Sequence, residues 1–187
     1  MRIGLLGGSF NPAHKGHLDL SLCALARLDL HQVWWVVSPR NPLKETLQVA
    51  PYEERLERAH DLAQHPAIVV SDIEYRMGLR YTIDTITALQ NRNPGVDFVL
   101  LLGADNVLQL PHWRNWRKII MRLPLAVMPR APYTRTARTG KVAQIVNNHH
   151  VYGHTDNLHA HLRPPALIFL EGPENPLSST ALRNKET

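Results

Sequence analysis

The tightest constraint on what this chain can fold into lies in its first seventeen residues. Ile3-Gly4-Leu5-Leu6 is a short apolar run and reads as a buried strand. Gly7-Gly8 and Pro12 end it abruptly, as a strand-to-loop exit requires. Beyond Gly16 a Leu/Ala-rich segment reads as a helix, so the unit is strand, glycine loop, helix. Leu18, Leu22, Leu25 and Leu28 recur at helical spacing and predict an amphipathic helix over 15–29, resting on a sheet. His14 and His17 stand at its entrance. Glycines let backbone come close to a ligand, and a helix start offers unpaired N–H groups and a positive dipole end. Phosphate groups bind readily there. Two imidazoles on one face of the first turn are able to donate hydrogen bonds to phosphate oxygens or to protonate a leaving group. A glycine pair is also an ordinary turn, and a His pair also occurs on surfaces and at metals. The joint pattern GGSF-x-P-x-H-x-x-H is what singles the stretch out.

The remaining chain alternates strand and helix. QVWWVV at 32–37 predicts a strand with Trp34 and Trp35 on opposite faces. YEERLERAHDLAQ at 52–64 predicts a helix with Leu56, Ala59 and Leu62/Ala63 inward. Strands follow at 67–71, 97–102, 125–128 and 166–170, with helices near 83–92 and 116–123, and a short helix at the C-terminus. This alternation argues one domain over 1–187, an α/β fold with a parallel sheet of about six strands and right-handed crossovers. Residues 131–165 are the least informative, with a short helix expected over 139–148. His149, His150, His154, His159 and His161 invite a zinc reading. Without a cysteine partner or HExxH spacing, they read instead as a solvent-exposed excursion.

Composition narrows the class further. At 187 residues, 44% hydrophobic and 20% charged, the chain suits one globular domain. No apolar run approaches the ~20 residues of a membrane span, and no signal segment precedes the first strand. Cys23 is the only cysteine, which fits a reducing compartment and a cytoplasmic location. The net charge of +5 favours polyphosphates. It suits nucleic acid equally, although no aromatic-interleaved basic stretch is present.

Other candidate site segments sit where strands end. Ser38–Pro51 is a proline-rich loop at the carboxyl end of the second strand, with Arg40 and Lys44 as its cations. In open α/β sheets ligands bind at that edge. Tyr81-Thr82-Ile83-Asp84-Thr85 reads as a helix start, with Thr82 as the cap and Asp84 suited to the dipole. Gly103-Ala104-Asp105 is an acidic turn after a buried strand, placed to accept from hydroxyls. Ser178 or Ser179 caps a short helix, and Arg183 lies one turn on, on their face. Trp113 and Trp116 compete: at this spacing one packs a helix.

These motifs resemble the HxGH nucleotidyltransferases, and within them the bacterial nicotinate mononucleotide adenylyltransferases. Gly7, Gly8, Ser9, Phe10, Pro12, His14, Gly16 and His17 match the N-terminal signature, with Asn11 where many members carry Asp. Ser178, Ser179, Thr180 and Arg183 match the SST-x-x-R signature, and Pro129-Arg130 matches as well. The resemblance spans 3–130 and 166–183, and implies a single Rossmann-like, doubly wound nucleotidyltransferase domain. It implies that Gly7, Gly8, Ser9, Phe10, Gly103, Asp105, Ser178, Ser179 and Thr180 bind ATP. Lys44 reaches the triphosphate, although Leu43 replaces the usual His before it. Thr82, Thr85 and Trp113 form the nicotinate pocket.

The implied reaction is adenylyl transfer from ATP to nicotinate mononucleotide, a step of NAD biosynthesis. His14, His17, Lys44 and Arg183 are its catalytic residues. Positioning and charge neutralisation carry the chemistry, because the attacking phosphate is already ionised. Mg2+ travels with ATP, and no residue set reads as a dedicated metal site. The implied partners are the two nucleotides alone, with no nucleic acid and no membrane, in a monomer or homodimer. The alternatives are a sister enzyme using nicotinamide mononucleotide or phosphopantetheine, and a non-catalytic nucleotide- or RNA-binding module.

Overall fold

The computed structural model describes residues 1–39, 49–146, 150–152 and 157–171. β1 (Arg2–Gly8), β2 (Gln32–Val37), β3 (Ile68–Ser71), β4 (Asp97–Gly103), β5 (Leu125–Met128), β6 (His150–Tyr152) and β7 (Leu167–Phe169) form one sheet. Its order is β3-β2-β1-β4-β5-β7-β6, and every pairing is parallel. The sheet is doubly wound: the chain moves outward from β1 through β2 to β3, then returns to place β4 on the other side of β1. The reversal leaves a crevice above the carboxyl ends of β1 and β4, where such folds bind ligands.

Both faces of the sheet are covered, so the central strands are apolar on both sides. On one face Ile3, Leu5, Phe98, Leu100 and Leu102 pack against α4 (Thr82–Arg92), α5 (Ala104–Gln109), α6 (Trp116–Arg122), α7 (Tyr133–Thr139) and α8 (Lys141–Ile145). On the other, Leu6, Trp35, Val99 and Leu101 pack against α1 (Lys15–Leu28) and α2 (Tyr52–Leu62). Trp34 and Trp35 fall on opposite faces, as alternation requires. A Cβ on Gly4 would stand 2.8 Å from Leu101 and 2.9 Å from Leu30, so the absent side chain is what lets those leucines close over β1.

Several details depart from the sequence reading. Among the described residues the strands number seven, because β6 falls inside the histidine-rich stretch. The helix expected over 139–148 is the shorter α8, and α7, which was not expected, precedes it and meets it at Gly140. The GAD turn continues as α5, whose Val107 is buried in the core. A four-residue helix, α3 (Ile73–Arg76), precedes α4. The buried stripe of α1 is Ser21, Ala24 and Leu28, and Leu22 is exposed. Small residues face the sheet because Trp35 fills the space beneath: its indole N–H donates to Ser21 Oγ (2.7 Å). The expected C-terminal helix lies outside the described residues. No helix among those described is long and apolar enough to cross a membrane.

Arg55 is the other surprise. It sits on α2 in what reads as a charged, solvated face, yet it is 2% exposed. Its guanidinium donates to four backbone carbonyls: Ala50 (3.0 Å), Ser38 (2.9 Å), Pro39 (3.1 Å) and Ser9. It thereby ties the glycine loop to the end of β2 and to the approach of α2. Asn11, buried in the same loop, accepts from the Ala50 N–H (3.2 Å). Removing Arg55 would strand those carbonyls out of water, a cost of about 1–3 kcal/mol for each buried group left unpaired. Arg55→Met is expected to lower the unfolding free energy by about 3 kcal/mol or more, read as a shifted urea midpoint. Arg58→Met, which removes only an exposed ion pair to Glu54, is expected to cost less than about 0.5 kcal/mol.

Candidate active site

β1 delivers the glycine loop to the crevice. A Cβ on Gly7 would meet nothing within 4 Å, so the backbone there borders open space. The chain then turns sharply at Phe10, whose φ is 46°, and the Phe10 ring drops into the core at 1% exposure. It stacks on Trp35 (centroids 5.2 Å apart) and lies 4.7 Å from the His17 ring. Phe10 therefore supports the loop and the histidine from below, with little of its own surface open to a ligand.

His14 and His17 build the entrance of α1 themselves. His14 is the N-cap: its Nδ1 accepts from the Gly16 N–H (3.1 Å). His17 Nδ1 accepts from the His14 N–H (3.1 Å), closing a reciprocal capping box made of two imidazoles. Their ring centroids are 3.9 Å apart. An imidazole that accepts at Nδ1 carries its hydrogen on Nε2, so each ring offers one N–H donor from its far edge. Burial, with Arg130 nearby, lowers the His14 pKa to about 4. Burial, then the neighbouring His14, lowers that of His17 to about 3, against the raising effect of its backbone hydrogen bond. Both rings are neutral at pH 7. Of the two roles open to the pair in the sequence, neutral rings suit donating hydrogen bonds and not protonating a leaving group.

Across the crevice, β4 ends at Gly103 and Asp105 lies in the first turn of α5. Asp105 Oδ2 pairs with Arg130 Nη1 (2.8 Å), while its Oδ1 is buried with no partner among the described residues. A Cβ on Gly103 would lie 2.5 Å from that oxygen, so only glycine leaves the carboxylate its place. Arg130 follows β5, and its N–H donates to Thr134 Oγ1 (2.7 Å). It is the described cation that acts on both histidines. Sequence reasoning noted it as a motif match and gave it no role. Its place at the carboxyl end of a buried strand was the available signal.

The third wall is the start of α4. Tyr81, not Thr82, is the N-cap, and no side chain caps the helix. The Thr85 hydroxyl is already committed to buried Glu74 Oε1 (2.8 Å), and Ser38 donates to Glu74 Oε2 (2.7 Å). Burial pushes the Glu74 carboxyl up, against those two hydrogen bonds. Glu74, unmarked in sequence, thus links the end of β2 to α4, and Thr85 has chiefly its backbone left to offer a ligand. Trp113 lines the same cavity. Trp116 lies outside that lining, with Arg117 and Lys141 over its ring.

One cavity of about 290 Å³ is bordered by Gly7, Gly8, Ser9 and Phe10, both histidines, Gly103 and Asp105, and Thr82, Thr85 and Trp113. Lys44, Ser178, Ser179, Thr180 and Arg183 lie outside the described residues. No group of three or more His, Cys, Asp or Glu that could hold a metal occurs among the described residues, and Asp105 is engaged by Arg130. These donors do not fit a protein-held divalent ion.

The histidine assignment predicts a protonation behaviour. Folded pKa values below the unfolded 6.5 mean that the unfolded chain binds more protons in that interval. Stability contributed by the pair is therefore present above pH 6.5 and lost as pH falls toward the folded values. NMR titration is expected to show both rings neutral down to about pH 5. Imidazole shifts turning over near pH 6.5 would contradict the assignment.

The comparisons agree with this geometry. Residues 5–185 match the model of the cytidylyltransferase-like family. A relative from Parvibaculum lavamentivorans, named "Probable nicotinate-nucleotide adenylyltransferase", is 47% identical over 99% of this chain and 92% of its own. One of the same name from Gluconobacter oxydans is 45% identical over 98% and 94%. Among solved structures, a Plasmodium falciparum nicotinic acid mononucleotide adenylyltransferase complexed with NaAD shares the fold, with a TM-score of 0.72 at 17% identity, over 98% of this chain and 82% of that one. A glycine loop, a histidine capping box and near-full-length identity to these relatives converge: the chain belongs to the nicotinate-nucleotide adenylyltransferase branch of the cytidylyltransferase-like family.

Proposed function

We propose that residues 1–187 act as one nucleotidyltransferase domain that transfers the adenylyl group of ATP to nicotinate mononucleotide. The products are nicotinate adenine dinucleotide and pyrophosphate. The observation that carries this reading is the pair of neutral Nε2–H donors held at the start of α1, above the switch point of the sheet. A phosphate oxygen of the mononucleotide attacks the α-phosphorus of ATP in line. The new O–P bond forms as the bond to the bridging oxygen breaks, and its electrons leave with pyrophosphate. No protein nucleophile is required. His14 and His17 donate to non-bridging α-phosphate oxygens as charge builds there, with the α1 dipole behind them. Mg2+ enters as part of the Mg·ATP substrate.

The other residues hold the two nucleotides. The loop from Gly7 to Phe10 binds the phosphates, with open space beside the Gly7 backbone, and Asp105 Oδ1, next to Gly103, offers an acceptor to a ribose hydroxyl of the adenosine. Lys44 and Arg183, with Ser178, Ser179 and Thr180, serve the leaving pyrophosphate. Amides at the start of α4, near Thr82 and Thr85, face the nicotinate carboxylate, and the Trp113 ring stacks on the pyridine. The reaction needs no nucleic acid or membrane, suits a monomer or homodimer, and belongs with the ATP of the cytoplasm.

Two measurements test this. Pyrophosphate release from Mg·ATP is expected to be fastest with nicotinate mononucleotide, slower with nicotinamide mononucleotide and absent with phosphopantetheine. Binding of ATP with no release for any acceptor would favour a non-catalytic module. His17→Asn keeps an acceptor where Nδ1 stands and removes the Nε2 donor. It is expected to fold with little loss of stability while kcat falls about 10²-fold, the range for one lost transition-state donor. An unchanged kcat would remove His17 from the chemistry.

A further inference from the structure

Two guanidinium groups at the cavity remain without a task. Arg80 immediately precedes Tyr81, the N-cap of α4, and Arg114 follows Trp113. Both line the cavity. Both also lie over one ring: Arg114 Cζ is 4.6 Å and Arg80 Cζ 6.0 Å from the Tyr81 centroid. Tyr81 packs on the core, so a seated aromatic ring holds two long side chains beside Thr82 and Trp113 by cation–π attraction. Neither arginine takes part in an ion pair among the described residues.

The other charges among the described residues of the cavity do not cancel them. Arg130 and Asp105 are paired with each other. Glu74 is buried, takes hydrogen bonds from Ser38 and Thr85, and has its carboxyl shifted toward the neutral form. Asp84, in the first turn of α4, is not part of the cavity lining. The Tyr81 end of the cavity thus carries excess positive charge, which reaches a bound group across several ångströms.

We propose that Arg80 and Arg114 set the charge preference for the substrate, by a positive field that favours a pyridine bearing a carboxylate over one bearing a neutral carboxamide. This rests on the assignment of the Thr82–Trp113 end of the cavity to the pyridine. The α4 amides read the carboxylate at contact, whereas the arginines act through the field around it. Charge, and not the planar fork of arginine, is what matters, so lysine serves in their place.

The test compares nicotinate and nicotinamide mononucleotides in steady-state kinetics. Both arginines are exposed, so their variants retain the fold. The Arg80→Gln/Arg114→Gln double variant is expected to lower the acid-to-amide ratio of kcat/KM about tenfold, equivalent to about 1.4 kcal/mol. Arg80→Lys/Arg114→Lys is expected to keep most of the ratio. Raising the ionic strength from about 0.02 to about 0.5 M should compress the wild-type ratio toward that of the glutamine variant. A ratio unmoved by the glutamines, or lost equally with lysines, overturns the inference while leaving the proposed reaction intact. A wild-type enzyme that turns over neither pyridine nucleotide overturns both.

Discussion

The molecule depends on two hydrogen bonds at the mouth of α1. The Gly16 and His14 N–H groups donate to the Nδ1 atoms of His14 and His17. These bonds satisfy backbone donors that a helix start otherwise leaves open. They also fix which nitrogen of each ring carries its hydrogen, while burial holds both rings neutral. The side chains that cap the helix are those that line the cavity. Trp35 and Ser21 brace the arrangement from below, since Ser21 passes its own hydrogen to the His17 carbonyl (2.8 Å).

Around this centre two buried charges and one half-buried ion pair each tie down a loop that borders the cavity. Arg55 gathers backbone carbonyls from the glycine loop, from the end of β2 and from the approach to α2. Glu74 couples the end of β2 to α4. The Arg130–Asp105 pair joins the ends of β4 and β5. Each group would be costly alone in the interior, and each is held by partners drawn from separate segments. Removal of any one therefore exposes a defect at the site and not in the distant core.

How much of this was legible in the sequence depended on whether the requirement was local. The β1–loop–α1 unit was legible because Gly7, Gly8, Pro12, His14 and His17 each answer a demand of their own backbone position. The parallel sheet was legible from apolar runs buried on both faces. β6 was not, since a three-residue strand at the sheet edge among histidines, asparagines and a glycine carries no period to detect. Arg55 and Glu74 were missed because a charge in a helical stretch looks solvated until tertiary packing brings carbonyls or hydroxyls to it. The stripe of α1 was misread toward Leu22 because hydrophobicity was counted, whereas the indole of Trp35 called for the small Ser21 and Ala24. At the site, the cavity gathers the glycine loop, the histidines, Asp105 and Trp113. Arg130 acquires a role only when β5 is seen beside β4.

The most direct measurement is a crystal structure of the protein with Mg2+ and a non-hydrolysable ATP analogue. The account predicts an α-phosphate oxygen within hydrogen-bond distance, about 2.7–3.2 Å, of both histidine Nε2 atoms, with both Nδ1 atoms still bonded to the backbone. A triphosphate bound elsewhere in the crevice, or rings flipped to meet it through Nδ1, would contradict it.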